Sequence, residues 1–119
     1  MVRPRDIDAS VLVLRSEPNA NATILVTPYH REGVTSDIKA VLNEQNNVMC
    51  LSRADIPSEA RTPDPERLKA YHGIGFRTRF LLRYASWPRG PLEVIEFHEH
   101  LRILEKGYTM RAIRVDSDS

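Results

Sequence analysis

The stretch EVIEFHEHLRIL, residues 93–104, admits two periods, and each gives a different end to the chain. At period two, Ile95, Phe97, Leu101 and Ile103 share one strand face, while Glu96, His98, His100 and Arg102 share the other. At the helical period, Val94, Phe97, Leu101 and Leu104 form the main stripe, with Leu92 and Ile103 to one side. Glu93, Glu96 and His100 then fall between the two apolar groups, and His98, Glu99, Arg102 and Lys106 face outward. Local chemistry favours the helix. Pro91 suits the first helical position, Glu93 and Glu96 suit the positive end of the dipole, and Lys106 followed by Gly107 suits the other end. Residues 92–106 are therefore read as a helix.

Working outward, GFRTRFLLRYASWPRGP (75–91) reads as a strand over 76–84. Phe76, Thr78, Phe80, Leu82 and Tyr84 point one way, and Arg77, Arg79, Leu81 and Arg83 the other. YTMRAIRV (108–115) reads as a last strand, and DSDS (116–119) as a frayed acidic tail. Toward the N-terminus, ASVLVLRS (9–16) and TILVTPYH (23–30) read as two strands around the turn formers EPNANA. TSDIKAVLNEQNN (35–47) reads as a helix closed by a left-handed Asn46 or Asn47, and VMCLS (48–52) as a buried strand. Residues 54–63 form a long loop. DPERLKAYHG then reads as a short helix capped by Asp64 and ended by Gly73. The expected fold is α+β: one two-layer domain over 1–119, with a mixed, largely antiparallel sheet of about five strands and two or three helices.

Composition narrows the class of function without naming one. A formal net charge of +1 supplies no broad basic field for nucleic acid or a membrane surface. With one cysteine, Cys50, there is no internal disulfide, and a reducing cytoplasmic setting is the expectation. Fourteen of the seventeen basic residues are arginine, the side chain suited to forked contacts with carboxylates, phosphates or partner surfaces.

Three constellations are candidates for chemistry. His98 and His100 form a His-x-His pair that a strand would aim at one metal ion together with Glu96, and Glu105 gives His-x-His-x4-Glu spacing, although the leading expectation is no metal or other cofactor. Glu96 and His100 stand four apart on a helix and can act as an acid–base pair. Arg77, Arg79, Arg83 and Arg89, with Tyr84 and Trp87, form an arginine–aromatic surface fit for a protein partner and, less favourably, for nucleic acid. The acids of 93–105 can pair with that surface inside the fold or across a homodimer interface. The leading expectation is a non-enzymatic binding or regulatory module acting through the arginine face. The alternative is a small enzyme using His100, Glu96 and His98.

Overall fold

The computed structural model describes residues 3–115, with His72 and Gly73 described by backbone alone. The acidic tail expected at 116–119 lies outside the described residues. The elements are α1 (Pro4–Ser16), β1 (Ala22–Pro28), β2 (Lys39–Leu42), β3 (Val48–Ser52), β4 (Leu68–Phe76), α2 (Thr78–Ser86), α3 (Pro91–Glu96), α4 (Leu101–Glu105) and β5 (Met110–Arg114). The five strands form one sheet in the order β3-β2-β4-β1-β5, antiparallel throughout except for the parallel pair β1–β5. The α+β class and the mixed, largely antiparallel sheet are as the sequence predicts. No helix among the described residues is long and apolar enough to cross a membrane.

β1 is apolar and β-branched on both faces, and six consecutive residues from Ala22 to Thr27 are buried. Ala22, Ile24 and Val26 join the main core with Ile38, Leu51, Phe80, Leu101, Ile103 and Met110. Thr23 faces the other way, onto Gly75 of β4, which the Ser10 and Leu14 side chains of α1 also approach. The β2–β3 hairpin crosses the core so that its tip reaches the far edge. The Ala112 amide donates to the Asn46 carbonyl at 2.7 Å, and the Arg111 guanidinium donates to both Asn47 Oδ1 and Glu17 Oε1.

Four local readings are corrected. Residues 9–16 belong to helix α1, not a strand. The buried or half-buried residues Asp6, Ser10, Val13, Leu14 and Glu17 recur at helical spacing, and Pro4 opens the helix. Residues 35–47 form β2 and a hairpin turn, not a helix. The Asn43 side chain accepts from the Gln45 and Asn47 amides, and Asn46 adopts the left-handed conformation (φ 64°) inside that turn. The short helix expected from Asp64 to Gly73 is instead β4, which pairs with β1 from Leu68 to Phe76. Finally, residues 76–84 do not form a strand. Phe76 ends β4, and the rest is α2, whose Phe80 and Tyr84 pack with Trp87, Phe76 and Tyr108 in one aromatic cluster. Alternation and helical spacing both fit that stretch, and the aromatic cluster rewards the helix.

Gly75 is needed because a Cβ there would stand 2.6 Å from Thr23 Oγ1. Gly75→Ala should cost about 1–3 kcal/mol by overpacking. That hydroxyl has no hydrogen-bond partner among the described residues, so adding Thr23→Ala should recover most of the loss. Urea denaturation of the four members of the cycle measures this, and an additive double mutant would contradict it.

Candidate active site

The sequence of 91–105 is helix-forming throughout, yet the helix breaks at 97–100. Arg53, just past β3, explains the break. Its guanidinium donates from Nε to the Glu96 carbonyl at 2.6 Å and from Nη2 to the Phe97 carbonyl at 2.8 Å. Those are the carbonyls that a continuing helix would offer to the amides of His100 and Leu101. Glu96 completes the lock by accepting from the Arg53 amide at 2.8 Å and the Ser52 hydroxyl at 3.1 Å. Phe97 takes a left-handed turn (φ 54°), and the His98 amide reaches back to the Glu93 carbonyl, closing α3 as a Schellman-type cap does. Such a conformation is costly for a phenylalanine and persists because the surrounding contacts enforce it.

Two further carboxylates hold the α3–α4 pair. Glu93, buried, receives a forked contact from Arg102, with Nε–Oε1 at 2.8 Å and Nη2–Oε2 at 2.7 Å. That hydrogen bond holds the Glu93 carboxyl below its ordinary range and raises the Arg102 guanidinium. Arg102 also lies 4.9 Å over the Tyr84 ring and donates to the Trp87 carbonyl. Glu105 accepts the amides of Leu92 and Glu93 at the start of α3.

Between these supports lies a cleft of about 530 Å³, lined by Arg89, Glu93, Phe97, His98, Glu99 and Arg102 among others. His98 is its most distinctive member. Its Nε2 is buried and has no hydrogen-bond partner among the described residues. Burial, with the neighbouring His100 and Arg53 adding to it, lowers the His98 pKa to about 4. Burial also lowers the pKa of His100, whose ring centroid stands 5.0 Å from that of His98. Both imidazoles are therefore neutral at physiological pH, each able to donate one hydrogen bond and accept another. Arg89 stands exposed at the rim. The site offers one neutral hydrogen-bonding ring, His98, inside, with His100 beside that ring, and a cation at its mouth.

The residues singled out from sequence are distributed unevenly. His98 and His100 come together, although no group of three potential metal ligands forms among the described residues. Glu96 and His100 do not form the helical pair expected of them, because the chain breaks between them and Glu96 turns to Ser52 and Arg53. Of the arginines, Arg77 donates to the Ala20 and Glu17 carbonyls, Arg83 to the Tyr108 hydroxyl, Arg79 is exposed on α2, and only Arg89 reaches the cleft. Tyr84 and Trp87 are engaged in the aromatic cluster, and Tyr84 donates to the Glu99 carbonyl. Once the strand becomes a helix, the flat arginine face expected to contact protein, nucleic acid or a second copy does not form. Arg53 and Arg102 were missed as site residues, and Glu93, read as lying between two apolar groups, is the buried partner of Arg102. A lone arginine after a strand gives no pattern, and only the fold brings it to α3. Cys50 is half-buried, and burial, assisted by Glu96, raises its thiol pKa, which keeps it protonated.

Comparison with known proteins bears on the site. No protein-family model matches the chain. It is 33% identical over 124 residues to 3-deoxy-manno-octulosonate cytidylyltransferase from Zea mays, covering 100% of this chain and 42% of that protein. It is 30% identical over 121 residues to the enzyme of the same name from Protochlamydia amoebophila, covering 97% of this chain and 47% of that one. Among solved structures it is similar to a CMP:2-keto-3-deoxy-manno-octonic acid synthetase complexed with CTP. The TM-score is 0.90 at 26% identity, over 98% of this chain and 49% of that one. The chain thus spans about half the length of the curated relatives it matches. These findings overturn the expectation of a non-enzymatic binding or regulatory module with a protein or nucleic-acid partner. The proteins aligned along nearly all of this chain are cytidylyltransferases, which fits the enzyme alternative better.

The electrostatics predict a pH dependence. His98 titrates at about 4 in the fold against an ordinary 6.5, so the unfolded chain binds its proton more readily between those values. Stability should therefore fall as pH drops from 6.5 toward 4. His98→Asn should flatten part of that fall, the remainder belonging to His100 and the carboxylates. An NMR titration of the imidazoles together with urea midpoints across this range measures both, and a His98 midpoint near 6.5 would contradict the assignment.

Proposed function

We propose that this chain is the acceptor-sugar portion of a cytidylyltransferase, and that its α3–α4 cleft holds a 3-deoxy sugar acid of the 3-deoxy-manno-octulosonate kind. The similarity along nearly the whole chain to enzymes named for that substrate carries the reading. The chemistry of the cleft supports it. A sugar acid presents many hydroxyls and one carboxylate. Neutral His98 suits hydroxyls, since an uncharged imidazole both donates and accepts without a desolvated charge, and His100 stands beside it. Arg89 suits the carboxylate at the rim. In cytidylyl transfer an acceptor oxygen attacks the α-phosphorus of CTP, a bond forms to that phosphorus, and pyrophosphate leaves. The acceptor portion therefore needs to fix one hydroxyl in a single orientation. The Arg53–Glu96 lock and the Glu93–Arg102 fork suit that task by making the turn that carries His98 rigid.

Titration of the chain with 3-deoxy-manno-octulosonate, followed through its imidazole NMR signals, tests the reading. Saturable shifts of His98 and His100 are expected, with His98→Ala weakening binding about tenfold or more, as loss of a buried polar contact does. Unmoved imidazole signals at millimolar sugar would overturn it.

A further inference from the structure

Phe97 presents its ring to solvent, at 78% exposure, from a backbone that is tightly held. The residue is left-handed (φ 54°), and its carbonyl accepts from the Arg53 guanidinium at 2.8 Å. Glycine or asparagine would take that conformation at lower cost. The fold gains little from the ring in return. Among the described residues, it joins neither the hydrophobic core nor the aromatic cluster around Phe80. A strained residue with an idle aromatic ring points to a use outside the fold itself.

The ring lines the α3–α4 cleft. With Val94, three residues earlier and 56% exposed, it makes an apolar patch in a lining that otherwise consists of charged residues and His98. Covering such a patch is favourable where the ligand is apolar and unfavourable where it is hydroxylated. A 3-deoxy sugar acid has one spot that matches. Every carbon carries oxygen except carbon 3, which is a methylene. The adjoining carbon 2 bears the carboxylate group. We propose that Phe97, backed by Val94, determines specificity in this cleft by laying its ring against the deoxygenated carbon while Arg89 meets the neighbouring carboxylate. The inference rests on the acceptor reading. A hydroxyl on the methylene face turned to the ring would lose its water and gain no partner, so a sugar acid hydroxylated there binds less well. An apolar contact separates such a pair by about ten- to a hundredfold. The Arg53 contact suits this role, since a surface that selects between two ligands has to stay in place.

NMR of 3-deoxy-manno-octulosonate with the intact chain tests the proposal. Protons over an aromatic face are shielded, so the carbon-3 proton signals should move upfield on binding, further than the other carbon-bound protons. Phe97→Leu should abolish that displacement and Phe97→Tyr should keep it. The intact chain should also bind one of the two carbon-3 epimers of the hydroxylated sugar acid about tenfold or more weakly than the deoxy sugar. Phe97→Gly, which suits the left-handed backbone, should keep the urea midpoint of the parent, bind the deoxy sugar about tenfold more weakly and lose most of the discrimination. Bound sugar with unshifted carbon-3 protons overturns this inference and leaves the acceptor reading standing. So does equal affinity for the deoxy sugar and both hydroxylated epimers. Sugar that does not bind at all removes both readings.

Discussion

Arg53 takes two carbonyls away from a helix. Everything distinctive about the site follows from that capture. Without it, residues 91–105 have the composition to run as one uninterrupted helix, and His98 would face outward from it. With it, the chain turns left-handed at Phe97, His98 swings into the cleft, and His100 comes beside it. The partner carboxylate Glu96 is spent on the same lock through the Arg53 amide and the Ser52 hydroxyl, so it is unavailable as a base. A guanidinium suits this role because its planar donors reach several carbonyls at once and its charge persists at any physiological pH. Its third contact, to the Thr35 carbonyl, ties the loop before β2 into the same point.

The sheet and the site are coupled through this arrangement. β3 delivers Ser52 and Arg53 to α3, while α4 packs Leu101 and Ile103 into the core that β1 and β5 line. The cleft thus sits on rigid elements joined by charged hydrogen bonds, with neutral His98 in its lining. Net stability of such buried ionic contacts is modest, since desolvation offsets much of the attraction, but their geometry fixes one arrangement. Under the proposed function, a site of this kind would orient a hydroxylated substrate and leave the triphosphate charge to be met elsewhere, in keeping with a chain spanning about half of the relatives it resembles.

How much was legible in the sequence varied with the kind of signal. β1, β3, β5 and the Pro91 start of α3 could be read because local propensity and tertiary demand agree there. The helix at 35–47 failed where they disagree. Lys39, wholly buried, is satisfied by the Val34 and Asp37 carbonyls and by Asp55, and no period reveals that a lysine belongs inside a strand. Asn46 or Asn47 was read as the left-handed residue of a helix end; the conformation falls on Asn46, in a hairpin turn, since the two settings ask the same of it. The arginine strand failed because Phe80 and Tyr84 satisfy both periods. At the site, His98 and His100 stood out as residue types, but their neutrality and the place of His98 in a cleft depend on Arg53, whose partners at Glu96 and Phe97 lie more than forty residues away in sequence.

A crystal structure of this chain soaked with 3-deoxy-manno-octulosonate tests the central claim most directly. The account predicts the sugar acid seated in the α3–α4 cleft, with its hydroxyls against His98 and its carboxylate toward Arg89. Sugar bound instead in a cleft lined by Tyr29 and Arg67, or an α3–α4 cleft left empty at saturating ligand, would contradict it.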